Sequence, residues 1–157
     1  MLSMLAPISE NETTVYGFVR DEVMLAPSVD TQDRLISNRR VLLDLPEFNA
    51  CTLLYRDMFS IPNSSINAGG YYSALMHFGA PYPGVEYEWE HWLEAFEDML
   101  GKMYWVSAVV HLETPYSGTH THIWETADEC HLPGSHEFEM RCEWTKDKGF
   151  FRQLDNA

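Results

Sequence analysis

The segment 85–103, VEYEWEHWLEAFEDMLGKM, constrains the fold more than any other part of the chain. Its apolar residues recur at spacings of three and four, which predicts a helix with one buried face. Acidic residues crowd the first turn and Lys102 stands in the last, as suits the dipole of a helix. Such a helix needs a second layer to cover its apolar stripe. The stripe consists of Val85, Trp89, Trp92, Phe96, Met99, Leu100 and Met103.

Strands are the natural second layer, because several segments are rich in β-branched and aromatic residues or alternate strictly. In 136–144 the alternation is complete, with an apolar face from His136 to Trp144 and a charged face from Glu137 to Glu143. A second helix is predicted from Asp30 or Thr31 to Asp44, where Pro46 stops it. The predicted strands are 13–25, 48–59, 71–79, 104–112, 119–125 and 136–144, and 80–84 (APYPG) is predicted to be a break.

The resulting order, β-α-β-β-α-β-β-β, predicts one α+β domain over 1–157. We expect an antiparallel or mixed sheet of about six strands with both helices on one face, in a ferredoxin-like layout with a hairpin extension. A length of 157 residues suits a single domain. Segments 1–12 and 145–157 are predicted to be flexible or docking tails.

The charge of the chain is strongly negative and concentrated in its middle. The formal net charge is −14. Residues 57–140 contain 13 acidic residues against one basic residue, Lys102, and so carry −12. This field repels phosphate backbones, which argues against direct nucleic-acid binding, and it attracts basic proteins. The simpler interpretation is that acidity keeps the protein soluble.

The outer face of the predicted helix 85–103 concentrates this charge. Each pair of like charges four residues apart lowers helix stability by about a few tenths of a kcal/mol. An acidic row without basic partners therefore suggests that the charges serve a function. We therefore predict a binding or inhibitor-type protein, similar in kind to an immunity protein or a phage antagonist, that presents this face to a basic protein partner. A homodimer is a further expectation, since the tail carries Phe150 and Phe151. The predicted partner-binding residues are Glu86, Glu90, Glu94, Glu97, Asp98, Tyr82 and Tyr87.

The segment 111–125, HLETPYSGTHTHIWE, suggests a second kind of site. A hairpin around 115–118 that pairs Thr114 with Thr119 would pair His111 with His122 and place three imidazoles on one face. Three neutral imidazoles can bind Zn²⁺ or another divalent metal, here through His111, His120 and His122. This alternative is a metal-dependent hydrolase, lyase or oxygenase, with His111, His122, Glu113 and Glu125 as its catalytic residues.

Two other interpretations of the hairpin do not involve chemistry. An antiparallel sheet often keeps one face wet, and His, Glu and Thr are ordinary residues there. A groove lined by Trp105, Trp124 and the histidines could also bind a small molecule. We favour a structural or interface role for the hairpin, no cofactor and no catalysis.

Location is predicted from what the sequence omits. Cys51, Cys130 and Cys142 lack metal-binding spacing and are read as reduced thiols of a cytosolic protein. Residues 1–14 lack the basic and apolar regions of a signal peptide. No apolar run reaches the roughly 20 residues that span a bilayer. We expect a cytoplasmic protein that does not enter membranes.

Overall fold

The computed structural model describes residues 12–21, 29–49, 51–60 and 75–145. Apart from Glu12 and Thr145, the two predicted tails lie outside these residues. Neither α-helix within them has the length and hydropathy that a membrane span requires. The elements in chain order are β1 (Glu12–Arg20), α1 (Val29–Leu43), β2 (Leu75–Pro83), α2 (Trp89–Leu100), β3 (Ser107–Thr114), β4 (Gly118–Thr126) and β5 (Phe138–Thr145), with short 3-10 turns at Arg56–Met58 and Val85–Glu88.

The described strands form one sheet in the order β2-β1-β3-β4-β5, and every neighbouring pair is antiparallel. The prediction of an α+β fold with two helices is confirmed. The six strands and the ferredoxin-like layout are not confirmed, because the structure shows five strands in its described part. The predicted strand over 48–59 is the one that does not form.

Local hydrogen bonds explain why the described residues of 48–59 do not form the predicted strand. The side chain of Asn49 accepts a hydrogen bond from the backbone N–H of Cys51 at 2.8 Å. The hydroxyl of Thr52 accepts one from the Asn49 N–H at 3.1 Å and donates one to the Asn49 carbonyl oxygen at 2.9 Å. These bonds offer the backbone an alternative to a strand ladder. The apolar run before Arg56 was therefore misread.

The predicted break at 80–84 is also wrong, because β2 continues to Pro83. Strand β2 lies at the edge of the sheet, where Pro81 and Pro83 cost no ladder hydrogen bond. Phe59 and Ser60 cover another part of this edge. Phe59 bridges Phe78, and the N–H of Ser60 donates to the carbonyl oxygen of His77 at 2.8 Å.

The core lies between the helices and one face of the sheet, here called the helix-facing face. On β1 and β3 this face carries buried residues such as Val15, Val19 and Val110. Gly17 belongs to the same face, and a Cβ there would approach the carbonyl oxygen of Val109 to 1.9 Å. The opposite face, here called the open face, carries Tyr16 among its exposed side chains. Its position opposite the helices leaves it outside the main core.

Helix α1 buries only part of its apolar surface. Leu35 and Leu42 are buried, but Ile36 and Leu43 are 45% and 39% exposed. The side chain of Asn38 fixes the helix instead. Its amide donates to the carbonyl oxygen of Tyr104 at 2.9 Å and its oxygen accepts from the Tyr104 N–H at 2.8 Å.

Candidate functional site

The outer face of α2 presents a row of exposed carboxylates. Glu90, Glu94 and Asp98 follow one another at four-residue spacing and are all exposed. Among the described residues, none of them forms an ion pair with a lysine or arginine. Glu94 approaches only the ring of His91, at 3.9 Å, and both side chains are largely exposed to water. The negative field of this row is therefore not neutralised by described neighbours.

Glu86 and Glu97 belong to the predicted set but lie at its margins, half-buried. Glu86 accepts a hydrogen bond from the hydroxyl of Thr13, which ties the 3-10 turn before α2 to β1. Burial raises the pKa of Glu97. The indole N–H of Trp124, nearby but without a completed hydrogen bond, opposes that shift, and the charges of Asp98 and Glu94 add to it. Both carboxylates thus have structural surroundings that the row lacks.

The two predicted aromatic anchors have different positions. Tyr87 is 89% exposed and stands just before α2. Tyr82 is buried: its hydroxyl donates to the carbonyl oxygen of Leu53 and accepts from the indole N–H of Trp92 at 3.2 Å. Burial raises the pKa of Tyr82 to about 12. Tyr82 is therefore a core residue and does not reach the surface on which it was expected.

A cleft of about 490 Å³ opens beside the carboxylate row. Asp98 belongs to both the row and the lining of the cleft. Apolar side chains form much of the wall. The lining residues that matter here are Val41, Asp44, Leu45, Leu53, Met99 and Lys102.

Sequence reasoning missed this cleft because it assigned the segment after α1 to a strand. The same error hid Phe48, which is 65% exposed and packs edge-on against Tyr55 with ring centres 5.0 Å apart. Pro46 and Cys51, on either side of Phe48 in the chain, line the cleft. Turn-forming residues on both sides of Phe48 were the available signal of a loop.

The histidine hairpin adopts a register one residue away from the predicted one. Thr114 pairs with Gly118 rather than with Thr119, which leaves a three-residue turn over 115–117. Gly118 has φ 81°, the left-handed conformation that closes such turns and favours glycine. In this register His111 pairs with Thr121, and Val110 pairs with His122.

A shift of one residue moves side chains to opposite faces. His111 lies on the open face, where its Nδ1 is 2.8 Å from the hydroxyl of Thr121 and its ring lies 4.9 Å from that of Tyr16. Burial lowers the pKa of His111, and Glu113 opposes that shift. Glu125 lies on the same face and pairs with Arg141 at 3.4 Å.

His120 and His122 lie on the helix-facing face. His122 is 5% exposed, and its Nε2 accepts a hydrogen bond from the indole N–H of Trp89 at 2.9 Å. Burial, with smaller contributions from the charges of His120 and His111, lowers the pKa of His122 to about 4. His122 is therefore neutral at physiological pH and acts as a hydrogen-bond acceptor for α2.

The structure does not bring the three imidazoles together on one face. The described residues contain no group of three or more His, Cys, Asp or Glu side chains that could hold one metal ion. A metal site on His111, His120 and His122, and acid–base chemistry by His111 and His122, remain predictions without a supporting contact. The predicted small-molecule groove also lacks support, because Trp105 and Trp124, which should line it, are fully buried.

Comparison with known proteins adds no assignment to this geometry. The chain matches no protein-family model, no curated protein and no solved structure. The fold and the site together describe an antiparallel α+β protein with an acidic helix face beside an apolar cleft.

Proposed function

We propose that this protein is an acidic binding or inhibitor-type protein whose α2 surface engages a basic protein partner. One observation carries the proposal: the exposed carboxylates of Glu90, Glu94 and Asp98 have no described basic partner and run beside an apolar cleft. Unpaired charge of one sign speeds encounter with a complementary surface, and a cleft supplies the desolvated contact on which affinity depends.

The cleft suits a long basic side chain of the partner, because its lining holds two carboxylates, Asp44 and Asp98, against one cation, Lys102. Its methylene stem would lie against Leu45 and Leu53, while its charged end would meet Asp44 or Asp98. Arginine suits this role especially, since its planar fork binds carboxylates with two hydrogen bonds.

Exposed aromatic rings at two places add contact area to the charged row. Tyr87 stands before the first turn of α2, and Phe48 lies in the loop that forms the other side of the cleft. Aromatic residues contribute a large share of the binding energy at protein interfaces. Phe48 thus takes the anchor role that the sequence assigned to Tyr82.

The row of carboxylates supports an inhibitor of the nucleic-acid-mimic kind. Residues four apart on an α-helix lie about 6 Å apart along its axis, so the row repeats negative charge at a regular interval. A basic partner that binds nucleic acid recognises the same kind of repeated charge. An immunity protein against a cationic toxin, or a phage antagonist, would use this surface to occupy such a site.

The test is capture from native lysate at low and at high salt, followed by identification of the captured protein and calorimetric titration with it. We expect salt-sensitive binding that Glu94→Lys/Asp98→Lys abolishes. The matched control is Glu113→Lys/Glu129→Lys, which makes the same charge change at exposed positions elsewhere. Equal loss in both double variants, or no salt-sensitive partner, would contradict the proposal.

A further inference from the structure

Strand β5 forms an edge of the sheet with an unusual amount of exposed apolar surface. Among the described strands it has one neighbour, β4. Met140 and Trp144 are 39% and 57% exposed, and the thiol of Cys142 is exposed between them. All three project from the helix-facing side, because they pair with Trp124, His120 and His122 of β4. An exposed apolar edge strand is a template for pairing with another chain.

We propose that β5 is a homodimer interface, in which two copies pair antiparallel and join their sheets into one. The pairing is centred on Cys142, so that this residue faces Cys142 of the second copy. Met140 then faces Trp144 of the second copy, and Arg141 faces its Glu143. Two-fold symmetry repeats each of the latter contacts, which is the self-complementarity that an isologous interface requires.

The side chains of β5 select this register over its neighbours. Centring the pair on Arg141 or on Glu143 would place like charges directly opposite each other, which is destabilising. Centring it on Met140 would join Glu139 with Arg141, but it would also oppose Glu137 with Glu143, face Met140 with Met140 and leave Trp144 at the margin. Pairing about Cys142 joins opposite charges on one face without opposing like charges within the strand, and it brings the sulfur of Met140 to an aromatic ring on the other face.

Contacts within the chain leave Arg141 available for this role. Its guanidinium lies 3.4 Å from both Glu125 and Glu143 of its own chain, and all three side chains are more than half exposed. Exposed ion pairs of this kind are weak and rearrange readily. The charged face therefore sets the register, whereas Met140 and Trp144 supply the apolar area that association buries.

This inference goes beyond the proposed function and does not depend on it. Carboxylates of the α2 outer face carry the proposed function, and none of them belongs to β5. Loss of partner capture would leave the dimer prediction standing, and the reverse also holds.

Disulfide trapping is the first experiment, performed on the full chain. Residues opposite each other in an antiparallel pair have Cα atoms about 4.5–5.5 Å apart, within disulfide range. Diamide should therefore link Cys142 to Cys142, the two thiols giving up two protons and two electrons as diamide is reduced to the hydrazine. We expect the covalent dimer in the unmodified chain and in Cys51→Ser, and its loss in Cys142→Ser. Cys51 is the matched control because it is also exposed.

A mixing experiment tests the register independently of cysteine chemistry. Arg141→Glu and Glu143→Arg each place like charges opposite one another in their own homodimer, so each should weaken the dimer about tenfold. Mixed together, the two variants regain both opposite-charge pairs in the heterodimer. Sedimentation velocity at 0.15 M salt, where repulsion between the acidic copies is screened beyond about 8 Å, should show the mixture returning to within about threefold of the unmodified chain.

Several outcomes would overturn the proposal. One is a chain that stays monomeric at about 100 μM, well above a micromolar Kd. Another is covalent dimer that disappears equally in Cys51→Ser and Cys142→Ser. A third is a mixture that dimerises no more tightly than either variant alone, although both variants keep the far-ultraviolet circular dichroism of the unmodified chain. A fourth is a monomer whose Cys142 resists alkylation, which would show that the edge is already covered within its own chain.

Discussion

The two faces of α2 contribute to stability in opposite ways. Trp92, Phe96, Met99 and Leu100 on the inner face are at most 3% exposed and pack in the core. The outer face carries carboxylates that no described neighbour neutralises. Burial of the inner face stabilises the fold, whereas like charges on the outer face oppose helix formation. Folding therefore accounts for the inner sequence and gives no reason for the outer one.

The largest loss of stability should follow from Phe96→Ala, which removes a ring from the inner face. Phe96 is fully buried, and its ring centre lies 5.1 Å from that of Trp92 and 5.0 Å from that of Trp124. Removing a buried phenyl ring usually costs about 3–5 kcal/mol of unfolding free energy. Urea unfolding monitored by circular dichroism measures the loss. Glu94→Ala in the same helix is the control, and equal losses in the two variants would erase the contrast between the faces.

The second effect is a dependence of stability on pH. It arises from His122, which accepts a hydrogen bond from the indole of Trp89 in α2. The pKa of His122 is lowered from 6.5 to about 4. Between these values the unfolded chain binds more protons than the folded chain, so stability falls as pH drops from 6.5 towards 4. The expected contribution is up to about 3 kcal/mol. His122→Gln retains an acceptor but does not titrate, so urea unfolding at several pH values should show a flatter profile.

His91→Gln provides the control for that profile, because His91 is exposed on the outer side of α2. Its pH profile should follow that of the unmodified chain. If His122→Gln and the unmodified chain lose stability in parallel between pH 6.5 and 4, the buried hydrogen bond to Trp89 does not account for the loss of stability in acid.

Glu97 stands on the boundary between the faces and should show a smaller effect of opposite sign. Burial raises its pKa, so the folded state holds this proton more tightly and stability declines as pH rises above 4.5. Glu97→Gln also removes repulsion from Glu94 and Asp98. We expect a gain on the order of 0.5 kcal/mol at pH 7 that shrinks towards pH 4.5, measured by urea unfolding. A loss at pH 7 would indicate that Glu97 is held by a favourable contact.

The smallest change in stability should come from Glu94→Gln on the outer face. Exposed substitutions of this kind usually change the free energy of unfolding by about 0.5 kcal/mol or less. The same variant should weaken capture of the basic partner, and calorimetric titration measures that loss. A variant that loses stability and keeps the partner would reverse the roles assigned to the two faces.

Sequence periodicity was a good guide to the existence of helices and strands. The strand predicted over 136–144 forms as β5, although most of its side chains are exposed, and the apolar stripe of 85–103 holds Trp92, Phe96 and Met99 in the core. The turn conformation of the hairpin and the edge position of β2 were harder to predict from the sequence. A single left-handed residue, Gly118, changes the hairpin register, and prolines are tolerated in β2 because it is an edge strand with a described neighbour, β1, on one side only.

The candidate site was predicted only in part for the same reasons. The carboxylate row follows from helix spacing, and the structure shows it exposed. The cleft beside it depends on a loop held by Asn49 and Thr52, whose hydrogen bonds no periodic pattern reveals. Tyr82 has the composition of an interface residue, but its place in an alternating strand next to Trp92 makes it part of the core.

The contrast between the two sheet edges limits how many copies can associate. At β2, Pro81 and Pro83 have no N–H to offer, and the stretch at His77 and Phe78 is already engaged by Phe59 and Ser60. Chains that join through β5 would therefore expose only blocked ends. Growth of the proposed assembly would therefore stop at two subunits and would not propagate into a filament.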